Sequence, residues 1–216
     1  ISLARLHLWP MRILFTLFII AAVAVIWATN AFLSARFTES THNRADLRQA
    51  LFSGQIMSEL QRTSVVPLLL ARDPELIAAL DTASYVSTSQ RLILAQQEIG
   101  ASSILLIDTG GRVVASTDRT RLGQSLASDR GFVQAKRAND SVFSVSEPQA
   151  RGFEFAFSRP VYANNRRVGV IMVSVDLSRF EQAWAGETDA VVVMDSTNRV
   201  ILATEPLWRG LQIDEA

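Results

Sequence analysis

The chain has no cysteine, one lysine (Lys136) and two histidines (His7 and His42) in 216 residues. Without cysteine there is no disulfide scaffold, thiolate zinc site, iron–sulfur cluster or thiol nucleophile. Both histidines lie near the N-terminus, 35 positions apart. That excludes a His-rich metal site or a Ser-His-Asp triad in the body of the chain. A single lysine leaves almost no scope for Schiff-base chemistry. The other 20 basic residues are arginines, and 21 acidic residues balance the total to zero. A nucleic-acid partner wants a basic face, and this balance offers none. The chain is long enough for one or two domains with a sizeable core.

What is abundant is apolar sequence. From Ile13 to Leu33 there are 21 residues without a charge. A helix needs roughly 20 such residues to cross a bilayer core of about 30 Å. Trp9 and Trp27 sit near the ends of the run, and Arg5 and Arg12 precede it with no acid among them. The positive-inside rule then places residues 1–12 in the cytoplasm, 13–33 in the membrane and residue 34 onward in the periplasm. The alternative is a cleaved signal peptide, whose apolar stretch is typically about 7–15 residues and so shorter than this one.

Residues 34–100 are expected to form a helical stalk region. Leu47, Leu51, Ile56 and Leu60 recur at near-helical spacing, and Pro67 is expected to break or kink the helix. Asp73-Pro74-Glu75 reads as a helix start, and Ser87 or Thr88 as the cap of a further helix ended by Gly100. The pattern then turns strand-like. Ser103–Asp108 and Arg112–Ser116 flank Thr109-Gly110-Gly111, a hairpin signal resting on glycine's access to positive φ. Residues 128–138 read as a helix with Phe132 and Val133 inward. Three strands follow, over Ser141–Ser146, Phe153–Tyr162 and Arg167–Asp176, with Asn164-Asn165 as a turn. This is an α+β layout around one antiparallel sheet, expected over 101–180.

A weak repeat is also present. Ile107–Asp118 resembles Met194–Glu205, an offset of 87 residues, with Asp, Arg, Val and Thr identical in register. The stretch 186–216 therefore reads as the beginning of a second, truncated copy.

These features together resemble a tandem Cache (dCache, extracellular PAS-like) sensor region behind a membrane anchor. The resemblance rests on Pro67–Pro74, Ile107–Arg112, Ser128–Phe132, Ser158–Val161 and Val168–Leu177 in that order. Glu181–Ala185 and Leu207–Arg209 are most similar to sensor histidine kinases of the four-carbon dicarboxylate (DctB-like) type. The resemblance implies a site for a small carboxylate in the membrane-distal repeat, with Arg130 as the gripping guanidinium. It further implies Ser128, Phe132, Ser146, Glu147, Phe155 and Ser174 as lining. Two positions depart from the dicarboxylate pattern. Ser174 stands where those sensors carry lysine, and Glu147 would repel a dianion if it pointed inward.

Three functions are weighed. The first is a periplasmic ligand sensor of a two-component histidine kinase, working as a homodimer and signalling to a response regulator. The same ectodomain could serve a chemotaxis receptor or a cyclic-dinucleotide enzyme, or act as a ligand-free spacer. The resemblance places ATP and Mg only in an output domain beyond residue 216, after a second membrane span. An anchored enzyme is disfavoured: Asp108, Asp118, Asp129 and Asp176 assemble no nucleophile–base constellation, and no catalytic residue, metal or cofactor is assigned here.

Overall fold

The computed structural model describes residues 18, 22–30, 47–149, 152–186 and 190–213, with the side chains of 147–149 and 152 left aside. The chain divides into two units, Ile1–Gln55 and Ile56–Ala216. In the first unit residues 18, 22–30 and 47–55 are helical. Of the expected span 13–33, residues 18 and 22–30 are among these, and the others lie outside the described residues. Among those described, no helix is long and apolar enough to cross a membrane.

The second unit opens with helix α1 (56–64). Pro67 does not simply end it. It sits in the first turn of a new short helix, α2 (Val66–Leu70), where its missing N–H has no intrahelical acceptor to lose. Asp73 caps α3 (Pro74–Thr82), accepting from the Glu75 and Leu76 amides. Helix α4 (Thr88–Ile99) ends at Gly100 with φ 73°, as its sequence signal demands, but the Ser87 side chain makes no cap bond.

Five strands follow: β1 (Ser103–Asp108), β2 (Val113–Ser116), β3 (Val142–Gln149), β4 (Gly152–Ala163) and β5 (Arg166–Val175). They pair in the order β2-β1-β5-β4-β3, every pair antiparallel. The β1–β2 turn is held by Asp108, whose Oδ1 accepts from the Gly110 and Arg112 amides, with Gly111 at φ 90°. Asn164 and Asn165, at φ 49° and 62°, form the β4–β5 turn.

The sheet is covered on both faces. On one, Val66, Leu76, Leu80 and Leu92 of the helices meet Ile104, Leu106, Ile171 and Val173. On the other, Phe132 and Ala135 of α5 (Arg130–Ala135) meet Leu105, Ile107, Ala156 and Met172. Alternation along each strand assigns these two sets. Helix α5 is shorter than the sequence pattern indicates, because Asp129 caps it through the Phe132 amide.

Helix α6 (Ser178–Trp184) leads to a second hairpin of β6 (Val192–Met194) and β7 (Val200–Ala203). Its details repeat the first hairpin. Asp195 Oδ1 accepts from the Thr197 and Arg199 amides, and Asn198 takes φ 58°. The bulge in each hairpin falls at the same place, at Leu106/Ile107 and at Val193/Met194. Helix α6 touches three parts of the unit. Arg179 pairs with Glu59 of α1 at 2.5 Å. Glu181 accepts from the Ala203 amide and pairs with Arg209.

Two predictions follow from the packing. A Cβ at Gly169 would fall on the Ile107 carbonyl oxygen and on both Leu80 Cδ atoms. Gly169→Ala is expected to cost about 1–3 kcal/mol in thermal or urea unfolding, since backbone cannot yield cheaply. The Arg62 hydrogen bond, opposed by burial and aided by Arg179, holds the Glu59 carboxyl below its ordinary value of 4.5. Its contribution is therefore complete above about pH 4.5 and lost as pH falls through the lower folded value. Glu59→Gln should cost about 1 kcal/mol at neutral pH, because both arginine partners are half exposed and screened. The difference in melting temperature between the two proteins should shrink towards pH 3. A constant gap would show that the charge of Glu59 is irrelevant.

Candidate functional site

On the α5 face the two halves of the sheet differ. Near the hairpin turns the face is apolar, with Ile107, Val170 and Met172 under Phe132. Towards the other end small polar residues replace them. Ser144, Ser158 and Ser174 are 4%, 0% and 4% exposed. The register places Ser174 beside Ser103 of β1 and beside Ala156 of β4. Buried hydroxyls are costly unless bonded, so such a floor is a feature with a purpose.

Its bonds converge. Ser103 Oγ donates to Ser174 Oγ at 3.0 Å, and Ser174 Oγ donates to Glu154 Oε1 at 2.8 Å. Arg121, at the end of the short turn Arg119–Arg121, reaches over the sheet. Its Nη1 donates to both carboxylate oxygens of Glu154, at 3.2 and 3.1 Å. The Arg121 and Glu154 side chains are 19% and 31% exposed, so the pair is partly desolvated. Arg121 Nε is buried without a hydrogen-bond partner, as is Ser158 Oγ. On the α5 side Ser146 Oγ donates to Asp129 Oδ2 at 3.1 Å. Gly131 lies against this floor: a Cβ there would come within 2.5 Å of Ser144 Oγ.

The residues expected from sequence fall into three groups. Ser174 and Ser146 lie in the polar floor, and Phe132 is buried in the core beside it. Arg130 and Ser128 are exposed at the start of α5. Among the described residues the Arg130 guanidinium meets neither a carboxylate nor a carbonyl. Phe155 is not brought together with them. It follows Glu154 and precedes Ala156, so it points to the opposite face, where it stacks on Phe143 with ring centres 6.5 Å apart. The side chain of Glu147 is outside the described residues. Arg121 and Glu154 are the members that the sequence reading missed. The residue signal for both is weak: a charged pair 33 positions apart, inside patterns that otherwise read as turn and strand.

A cavity of about 310 Å³ lies elsewhere, lined by Ile77, Arg72, Arg159, Pro160 and Tyr162. It sits where β4 runs past its last pairing with β3, at Ser158. Arg159 there is held by Asp140 and Ser141. We place the site on the serine floor because buried hydroxyls, an ion pair and two unpartnered buried polar atoms, Arg121 Nε and Ser158 Oγ, come together there. No group of three acidic or histidine side chains among the described residues could hold a metal ion.

Known proteins share this fold. A family model described as a double sensory domain of two-component sensor kinase matches residues 38–208. The C4-dicarboxylate transport sensor protein DctB of Pseudomonas aeruginosa is 22% identical and aligns with 95% of this chain. The chain spans 34% of that relative's length. The sensor domain of the V. cholerae histidine kinase DctB superposes with a TM-score of 0.72 at 25% identity, over 81% of this chain and 70% of that one. The sensory domain of the Campylobacter jejuni chemoreceptor Tlp3 with isoleucine bound shares the fold, with a TM-score of 0.60 at 15% identity over 83% and 76% of the chains. The α+β sheet, its flanking helices and the match across both hairpins identify the chain as a member of the double Cache sensory-domain family (dCache_3) of two-component sensor kinases, of the DctB type.

Proposed function

We propose that this chain is the periplasmic sensing region of a membrane-anchored histidine kinase and that its ligand is a small carboxylate. The observation behind the ligand class is the serine floor with two arginines beside it. Arg121 lies over the floor, and Arg130 stands exposed at the start of α5, with Ser128 near it. A guanidinium matches a carboxylate through two parallel N–H bonds. Ser146 and Ser174 are the floor residues a ligand would touch, with Phe132 as the apolar wall.

The domain plan is part of the same proposal. In it the charge-free run 13–33 is the membrane span, with 1–12 cytoplasmic and the stalk, 34–100, periplasmic. Residues 101–180 form the ligand-binding repeat, and 186–216 open the membrane-proximal one. Transmission starts at Ser174, one residue before the end of the strand that leads into α6. A ligand that pulls on this strand shifts α6, and α6 is tied to α1 through Arg179 and Glu59. Such a device needs two packings of the helix, with ligand favouring one. Exposed Met57 on α1, Val65 between the helices and Leu69 on α2 suit a homodimer contact of the stalks. The kinase output, its ATP and Mg and its response regulator belong to the longer protein.

The test is a thermal-shift screen of the whole chain in mild detergent against monocarboxylates, dicarboxylates, amino acids and neutral metabolites. A ligand at 100 times its dissociation constant stabilises by about 2.7 kcal/mol, which is roughly 5–10 °C at this size. A shift with an acid, absent with its neutral amide, supports the carboxylate reading. Equal shifts with acid and amide, or none with any acid, would refute it.

A further inference from the structure

We propose that Arg121 is the residue that grips the ligand's carboxylate, and that Glu154 restricts the ligand to a small monocarboxylate carrying a hydrogen-bond donor. This rests on the carboxylate reading above and deepens it.

The geometry of the pair is asymmetric. A guanidinium offers five N–H bonds in a planar fork. Arg121 spends only Nη1 on Glu154, bonding both oxygens from one nitrogen. The Nε edge of the fork is buried and has no partner. An unpaired N–H of that kind, away from water and beside serine hydroxyls, is what a ligand oxygen or a bound water satisfies. The Nε/Nη2 edge has the spacing that a carboxylate accepts bidentately. Arg130 has the same chemistry but a different setting. It is exposed, so an ion pair there is screened by water and salt.

Glu154 sets the charge. It neutralises one of the two arginines, and Asp129 at the α5 cap faces the same floor through Ser146. The two arginines are thus matched in number by two carboxylates, of which only Glu154 is paired with one of them. A single ligand carboxylate on Arg121 can be accommodated while Nη1 keeps Glu154. A second ligand carboxylate, a few ångströms away, would face Glu154 or Asp129 in a partly desolvated setting, where like charges repel strongly. Ser174 supplies no positive charge to offset this, since it is a neutral donor already committed to Glu154. A carboxylate has about four acceptor positions. Glu154 uses three of them, on Arg121 twice and on Ser174 once, which leaves a place for a ligand hydroxyl or ammonium.

The experiment is calorimetric titration of the whole chain in mild detergent with propionate, lactate, alanine and succinate. Lactate or alanine should bind more tightly than propionate, and at least about tenfold more tightly than succinate. Arg121→Gln should lower the affinity for lactate or alanine by about tenfold or more, and Arg130→Gln by less. Arg121→Lys keeps the charge without the fork and should also lose affinity, which separates grip from folding; melting curves of each variant check the fold. Glu154→Gln should narrow the preference over succinate by about tenfold. Succinate binding as well as lactate, an unchanged preference in Glu154→Gln, or a larger loss in Arg130→Gln than in Arg121→Gln would overturn this inference while the carboxylate reading stands. Binding of no acid by the wild type or any variant would overturn both.

Discussion

Strand β5 runs between β1 and β4, and every residue from Val168 to Val175 is buried. It has no solvent face, so its side chains must satisfy two packed layers at once. Helices α2, α3 and α4 press on one side and α5 on the other. Gly169 permits the closest approach, under Leu80 and across from the Ile107 carbonyl. Most of what the unit does is anchored to this strand. Its start is fixed by the Asn164-Asn165 turn and its end carries Ser174.

Polarity in such a strand is expensive and therefore informative. Ser174 is buried in the same layer as Met172, yet it is bonded on both sides, to Ser103 and to Glu154. Ser144 and Ser158 extend the polar patch over β3 and β4. Arg121 closes it from above, with its charge matched by Glu154 and its buried Nε–H without a partner. A fully satisfied network would rigidify a core. This one is incomplete, at Arg121 Nε and at Ser158 Oγ.

The second hairpin shows the same local solution reached twice. Asp108 and Asp195 close their turns identically, while Gly111 and Asn198 both adopt positive φ. Ile104 and Val191 each donate an amide to a threonine, Thr117 and Thr204. The copies diverge at one telling place. The position of Arg121 in the first is Trp208 in the second, and Trp208 is 37% exposed. The charge over the floor is thus a property of the first copy, and not of the hairpin motif.

The sequence alone determined the elements and their order. Gly100, Gly111, Asp73, Asp108 and the Asn164-Asn165 pair are local signals, because each meets a backbone need within a few residues. The apolar runs likewise made the strands legible, though not their faces, and the repeat was visible from identities at a fixed offset. What only the tertiary structure decided is the company each side chain keeps. Arg130 matched a family position, yet it lies exposed, while Arg121 and Glu154 meet across 33 residues with no local signal. Phe155 looked like a pocket wall, but a period of two sends it to the other face from its neighbour Ala156. The reason is physical. Local chemistry fixes dihedral angles one residue at a time, whereas a binding site is made of side chains from several elements, brought together only by strand register and the packing of helices upon it.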